Sequence, residues 1–379
     1  MILTLFLIPL TLAVGIELTR YALTRHRDQA ARRRLWVGLL CNATPVAVLL
    51  LSLCFDNSPT IMRLIMWAIW SWLFLVVPRL FYILCSALRW PRVGTALAVI
   101  IASTLLYGVI FGRRALVVNE VEICSQSLPK AFDGYRIAHF TDLHLGTLVH
   151  TRGEVRRVVE RINAAHPDLV CFTGDLVNIR HSELDSTAMA LLQQIEAPVV
   201  SILGNHDIGS YIRDTVRLSP EESTRRLIAQ EEAMGWCLLQ DSTRYLYRGG
   251  DSISLTGISF ERRLRHDRHN RQLPLTAADK AYRGVPDSLF NLTLVHVPQL
   301  WDPIRTLGYG DLTLSGHVHA MQLKALGWSP AQWLFERWSG RYDEEGSTLY
   351  INDGIGYVGY PMRLNAAPEL TIYTLKLCE

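Results

Sequence analysis

Four apolar runs fill the first 113 residues, and they restrict what this chain can become more than anything after them. They cover 1–18, 35–55, 61–88 and 93–111. Each is near or above the roughly 18 residues that a helix needs to cross a bilayer core. Long runs with so few charges are the signature of membrane helices; a helical core buried inside protein is the alternative. The third run is the least clean. Arg63 lies near one end and Arg79 inside it, both able to snorkel toward an interface. Trp67, Trp70 and Trp72 also lie within it, so they are not confined to an interfacial belt.

The first run lacks a positively charged start and an obvious small-residue cleavage site, so it reads as an uncleaved helix rather than a signal peptide. Arg20, Arg25, Arg27, Arg32, Arg33 and Arg34 follow it, and Arg89 and Arg92 follow the third run. The opposite side carries Arg63, Arg113 and Arg114. The positive-inside rule then places the N-terminus outside, together with everything after the fourth helix. Residues 1–112 are thus expected to be a four-helix, multi-pass anchor in the cell (inner) membrane. Residues 113–379 are expected to be an extracytoplasmic domain. Cleavage of the first run would reverse that side.

The second part has ordinary globular composition and is long enough to bury a sizeable core. The chain has 7 Cys and no Cys-x-x-Cys pair, so a zinc knuckle or thioredoxin-type site is not expected. Outside the cytoplasm a disulfide can form, but the sequence assigns none among Cys124, Cys171, Cys237 and Cys378.

Chemistry enters at strand ends. Asp142 and His144 follow the apolar segment 137–140, two residues apart, so on extended backbone they point the same way. Residues 151–165 have helical spacing and end before Pro167. A second apolar strand, 168–173, ends in Gly174-Asp175. A helix over 184–195 leads to the strand 197–203, which ends in Gly204-Asn205-His206-Asp207. Gly204 is expected to allow a sharp turn there through its freer backbone. Three β-α units in a row therefore deliver a ligand-type residue at the C-terminal edge of a strand, where open α/β sheets place their sites. After a helix over 221–236 the pattern turns β-rich, with strands at 237–239, 244–247, 252–258, 290–295 and 311–314. The last two lead to His296 and to Gly316-His317-Val318-His319. A lone strand-end His is more often structural. Five such blocks in order point instead to one centre with carboxylate, amide and imidazole ligands, suited to a divalent transition metal.

With these blocks on one chain, the sequence resembles the calcineurin-like metallophosphoesterase superfamily, above all its bacterial membrane-associated branch. The resemblance runs from Asp142 to His319 and on through Leu349-Tyr350-Ile351-Asn352-Asp353-Gly354-Ile355-Gly356; the four apolar runs lie outside it. It implies an α/β fold, a four-layer α/β/β/α sandwich over 113–379, preceded by the all-α transmembrane segment. It also implies a metal-dependent phosphoric ester hydrolase with two divalent metal ions, Mn, Fe or Zn. Asp142, His144 and His319 would hold the first ion, and Asp175 would bridge the two. Asn205, His296 and His317 would complete the second. His206 would donate a proton to the leaving group from outside the metal shell. There are two departures. The branch commonly carries Gly-His-Thr-His-Gly-Gly-Gln where this chain has Gly316-His317-Val318-His319-Ala320-Met321-Gln322, and the stretch after Gly257 lacks an acidic pair often found there. Both touch the pocket wall, and so the choice of substrate.

The expected function is hydrolysis of a phosphoester or pyrophosphate bond in a phospholipid or lipid-linked substrate at the outer membrane face. A UDP-2,3-diacylglucosamine pyrophosphatase-like hydrolase is one alternative, but its substrate lies on the other side. An inactive sensor or scaffold is another, and the intact ligand set speaks against it. Nucleic acid is not expected as a partner, because the Arg-rich stretch 261–271 has no interleaved aromatics. No protein partner is implied. Arg262, Arg263 and Arg265 are candidates to attract anionic headgroups. The aromatic stretch 321–338 either packs as a satellite core or lies at a lipid interface, with Trp333 and Trp338 as candidate substrate contacts.

Overall fold

The apolar runs fold as four helices: α1 (Ile2–Thr24), α2 (Gln29–Ser52), α3 (Pro59–Ala87) and α4 (Pro91–Ile110). The structure, a computed structural model, describes residues 2–24, 29–52, 55, 57–214, 217–260, 277 and 280–378. The chain divides into two units, Met1–Ile110 with Gly359–Met362, and Phe111–Val358 with Arg363–Glu379.

In the first unit, helices extend past the apolar runs. Arg20 lies inside α1, and Arg32, Arg33 and Arg34 lie inside α2. Arg is a good helix former, so a change from apolar to charged does not end a helix. What starts α3 is a cap: Ser58 Oγ accepts from the Ile61 amide at 3.4 Å, with Pro59 in the first turn. Arg79 does not need to snorkel. Its guanidinium pairs with Glu17 of α1, and Trp72 Nε1 donates to Asn42 Oδ1 at 2.9 Å. Polar groups among apolar helices are expected to pair in this way. Among the described residues, two segments, Pro59–Ala87 and Pro91–Arg114, are long and apolar enough to cross a membrane by length and composition, and 17% of each apolar window is buried. Large side chains such as Leu84, Val99, Ile100 and Tyr107 are exposed, an arrangement that water disfavours and lipid does not.

The second unit is built on two six-stranded sheets. Its strands are β1 (Val117–Ser125), β2 (Arg136–Phe140), β3 (Leu169–Phe172), β4 (Val199–Ser201), β5 (Cys237–Leu238), β6 (Ser242–Arg248), β7 (Asp251–Ile258), β8 (Asn291–Val295), β9 (Leu312–Ser315), β10 (Gly340–Glu344), β11 (Ser347–Ile351) and β12 (Glu369–Leu377). One sheet runs β1-β12-β2-β3-β4-β5, the other β10-β11-β9-β8-β7-β6. Parallel neighbours β2 to β5 are joined by α5 (Thr151–Ala164), α6 (Ser186–Leu192) and α7 (Pro220–Ala233). In the second sheet β7, β8, β9 and β11 are parallel, with the short helix Trp301–Thr306 between β8 and β9. Parallel pairs need such crossovers, and strands covered on both faces read as continuous apolar runs. β3 and β8 are buried at every position. Ile137, Leu169 and Val200 of one sheet meet Leu255, Leu292 and Leu314 of the other in one core. With helices on the outer faces, this is the expected four-layer sandwich.

Local chemistry explains the element ends. Val155, Val158, Val159 and Ile162 form the buried face of α5 at the spacing seen in the sequence. α6 starts two residues later than expected because Asp185 caps it, its carboxylate accepting from the Ala188 amide at 2.8 Å, and it ends at Leu192 rather than 195. β12 is absent from the sequence reading, although 369–377 alternates; it pairs parallel to β1 and antiparallel to β2. At its end Cys378 is joined to Cys124 of β1 by a disulfide, the pairing that the sequence leaves open.

Candidate metal centre

Asp142, His144, Asp175, Asn205, His206, His296, His317 and His319 all leave the sheets at or just past strand ends, and they meet at one place. Three triads have their ligand atoms within 4.8 Å of one another: Asp142, His144 and His319; His144, Asp175 and His206; Asp175, His296 and His317. Asn205 joins them through Oδ1, 3.0 Å from His296 Nε2. His144 Nε2 stands 3.7 Å from Asp142 Oδ1 and 3.6 Å from Asp175 Oδ2, so it links the two halves of the cluster.

The atoms that face each other are short of hydrogens. His296 Nδ1 donates to the Thr173 carbonyl at 2.8 Å, which leaves a lone pair on Nε2 of the neutral ring. That Nε2 faces Asn205 Oδ1 and, at 3.2 Å, Asp175 Oδ2. In the other half, His144 Nε2 and His319 Nε2 lie 3.2 Å apart, and His319 Nε2 stands 3.1 Å from the buried Asp142 Oδ1. Electron-pair donors packed this way fit a divalent cation in each half. The electrostatics agree. Burial opposes the ionisation of Asp142 and Asp175. The imidazoles of His319 and His144, and of His296 and His206, nevertheless hold the two carboxyls below their usual range. Burial also opposes charge on His296, but Asp175 draws its pKa up to about 9, so without a cation the ring takes a second proton on Nε2, the atom whose lone pair a metal ion would use instead. Burial pushes His317 down to about 3 and His206 down to about 4, leaving both rings neutral, the form that binds metal.

Backbone strain collects at the same residues. Asp142, His144, Asp175, His317 and His319 all take left-handed φ, between 45° and 74°. This region is uncommon for residues other than Gly, and strain of this kind clusters at functional sites. Ala320 and Met321 share it, both at φ 47°, where the family branch carries Gly. Gly204 itself has no left-handed φ. It is needed for closeness instead, because a Cβ there would collide with the Asp175 carboxylate.

Residues without a role in the sequence reading hold these loops. Asp207 accepts from the amides of Asp175 at 2.6 Å, Gly204 at 2.9 Å and Val177 at 3.1 Å, so one carboxylate ties the β3 and β4 loops together. Its position beside His206 is the only signal in the sequence. Arg363, fully buried, donates to the carbonyls of Asp353, Gly356 and Ala366, and its guanidinium stands 3.1 Å from His319 Nδ1. No motif announces it. His206 is held at both ends: its amide donates to Asp175 Oδ1 at 2.8 Å, and Nδ1 donates to the Asn178 carbonyl at 2.6 Å. Tyr211 stacks on its ring at 4.2 Å.

Comparisons with known proteins agree with this geometry. The calcineurin-like phosphoesterase family model matches residues 135–321. The metallophosphoesterase YkuE of Bacillus subtilis is 28% identical over 68% of this chain and 85% of its own length. The chain belongs to the calcineurin-like metallophosphoesterase superfamily. It is a metal-dependent phosphoesterase. A transmembrane protein with a metallophosphoesterase domain from Danio rerio is 32% identical over 74% of this chain, which spans 62% of that protein. Among solved structures, the phosphopantetheinyl hydrolase of Mycobacterium tuberculosis aligns over 61% of this chain and 91% of its own, at 12% identity and a TM-score of 0.39; this distant likeness adds nothing to the assignment.

The candidate substrate contacts are treated unevenly by the fold. Arg262, Arg263 and Arg265 lie outside the described residues. Trp338 packs with Phe335 against the cluster of Trp301, Leu349 and Ile351, with Lys324 over its ring. Trp333 is 73% exposed, edge-on to Trp328, on a loop where Leu326 is fully exposed. The same loop puts the Phe335 ring 6.3 Å from the His317 ring.

His206 lies within ligand reach of His144 and Asp175, so its role needs a direct test. As a proton donor, its replacement in His206→Ala should lower turnover by about 10²–10⁴-fold. Metal content measured by elemental analysis should stay unchanged. Loss of metal along with turnover would make it a ligand. Full activity on a poor leaving group would remove it from the chemistry.

Proposed function

We propose that this chain is a membrane-anchored phosphoesterase that cleaves a phosphoester or pyrophosphate bond of a lipid or lipid-linked substrate at the outer face of the cell membrane. The carrying observation is the loop after His319. Leu326, Trp328 and Trp333 expose apolar surface there, while Phe335 on the same loop touches His317 of the candidate centre. Exposed Trp and Leu suit a lipid interface, where amphipathic rings are favoured. A substrate with its tail against this loop has its phosphate close to the histidines.

In this reading Asp142, His144 and His319 hold one ion, Asn205, His296 and His317 the other, and Asp175 lies between them. Two divalent ions, Mn, Fe or Zn, would supply an activated water and neutralise charge on the phosphoryl oxygens. The chain's own residues do the rest. Thr173 fixes the His296 ring through its carbonyl, as Asn178 fixes His206. With the Nδ1 proton of His206 committed to the Asn178 carbonyl, Nε2 is the nitrogen left to face the substrate; it carries a lone pair in the neutral ring and can pass a proton to the departing oxygen once the ring has taken up a second one from water. Asp207 keeps the two loops at a constant separation while charge moves between them.

The outer side has two independent supports. The arginines flanking the apolar runs favour it. So does the Cys124–Cys378 disulfide, since such bonds persist mainly in oxidising compartments.

Two measurements test this reading. Trp333→Ala should depress hydrolysis of a lipid phosphodiester in vesicles far more than hydrolysis of a small soluble one; equal losses on both would end the lipid assignment. For the side, a cysteine is placed at Glu345, in the exposed turn between β10 and β11. It should react with an impermeant maleimide in intact spheroplasts, unlike the parent protein. Protection until the membrane is ruptured would put the domain in the cytoplasm.

A further inference from the structure

Asn205 offers the cluster its Oδ1, and on its other side Nδ2 donates to Tyr211 Oη at 2.9 Å. Asn205 is buried, so that NH2 group has little water to turn to. The ring of the same tyrosine lies flat against His206, with centroids 4.2 Å apart and planes 23° apart. One side chain from outside the ligand set therefore touches both residues that follow Gly204.

The chain reverses to bring this about. Residues 205–211 run as turns. Gly209 takes a left-handed φ of 65°, and a Cβ there would meet the backbone of Pro220 at the start of α7. The Ile212 amide donates to the Gly209 carbonyl at 3.1 Å, and the Ile212 side chain is buried. Tyr211 lies inside this turn, between the close approach at Gly209 and the anchor at Ile212, which fixes where its hydroxyl can reach.

A primary amide carries influence from one side to the other. When Oδ1 gives electrons to a cation, the nitrogen loses density and its hydrogens become stronger donors. A hydrogen bond from Nδ2 returns density to the oxygen, and partners of this kind raise the basicity of a ligand. The hydroxyl thus stabilises the ion-bearing form of Asn205 more than the empty one. Covering His206 needs only the ring; the aim of Oη at the Asn205 amide is not required for that. We propose that Tyr211 is a positioning residue for the ion held by Asn205, His296 and His317, acting through its hydroxyl on the Asn205 amide. The proposal rests on the reading of Asn205 as a ligand, and not on a lipid substrate or on the side of the membrane.

The test is a titration of the full-length protein, stripped of metal in neutral detergent, with Mn(II), the free ion being read by electron paramagnetic resonance. Asn205→Ala marks which of the two binding steps belongs to that half, by abolishing it. Tyr211→Phe removes one oxygen and keeps the ring. It should weaken the marked step about 10–100-fold, as loss of a ligand's outer partner typically does, and leave the other step unchanged. Unchanged affinity in Tyr211→Phe, with the step lost in Asn205→Ala, overturns the proposal and leaves the ligand reading standing. Equal weakening of both steps also overturns it, since general damage to the fold would do the same. If Asn205→Ala keeps both steps, the ligand reading fails and the proposal falls with it.

Discussion

Two carboxylates, Asp142 and Asp175, must stay ionised in a place from which water is almost excluded, and much of the second unit serves that requirement. Burial alone would protonate them. His296 is drawn toward its charged form beside Asp175, while His206, His317 and His319 are held neutral, so the donor atoms that face the two carboxylates leave room for cations and little else. The fold reaches this arrangement by ending parallel strands of two sheets at one edge and turning each chain end through left-handed backbone. Those turns are unfavourable by themselves. Asp207 and Arg363 offset them, the first by capping amides of two loops, the second by drawing carbonyls of the 353–366 segment together behind His319.

The loop beyond His319 extends the same logic outward. Its inner part is anchored: Ser329 Oγ donates to the Ala320 carbonyl at 2.7 Å, and Trp338 and Phe335 are packed. Its outer part presents Leu326, Trp328 and Trp333 to the surroundings. An anchored base with an apolar rim is a reasonable shape for a site whose substrate keeps its tail in lipid.

Much of this is legible in the sequence because simple local patterns carry it. Buried parallel strands read as short apolar runs, which places Asp142, His144, His317 and His319 at strand ends; the extended backbone expected there is absent, since all four take left-handed φ, and His317 and His319 fall in different triads. α5 is legible through its period of 3.6. Other features depend on contacts between distant residues, which no local pattern encodes. Arg363 has the sequence context of a surface arginine, yet it is buried behind His319. Trp333 and Trp338 are alike in sequence, and only packing separates them. The partner of Arg79 is 62 residues away in Glu17. Gly204 is the right residue for a different reason, since the constraint comes from the Asp175 side chain and not from its own backbone angles. The Cys124–Cys378 bond follows from the parallel pairing of β1 with β12, a long-range register.

The central claim is that one set of donors holds two ions that share Asp175. Titration of the purified full-length protein with Mn(II), followed by electron paramagnetic resonance, tests it most directly. Ions about 3.5–4 Å apart are close enough to couple magnetically. The account predicts saturation at two ions per chain with the spectrum of a coupled pair, and loss of that coupling in Asp175→Asn. Saturation at a single ion, or two ions that remain magnetically independent, would contradict it.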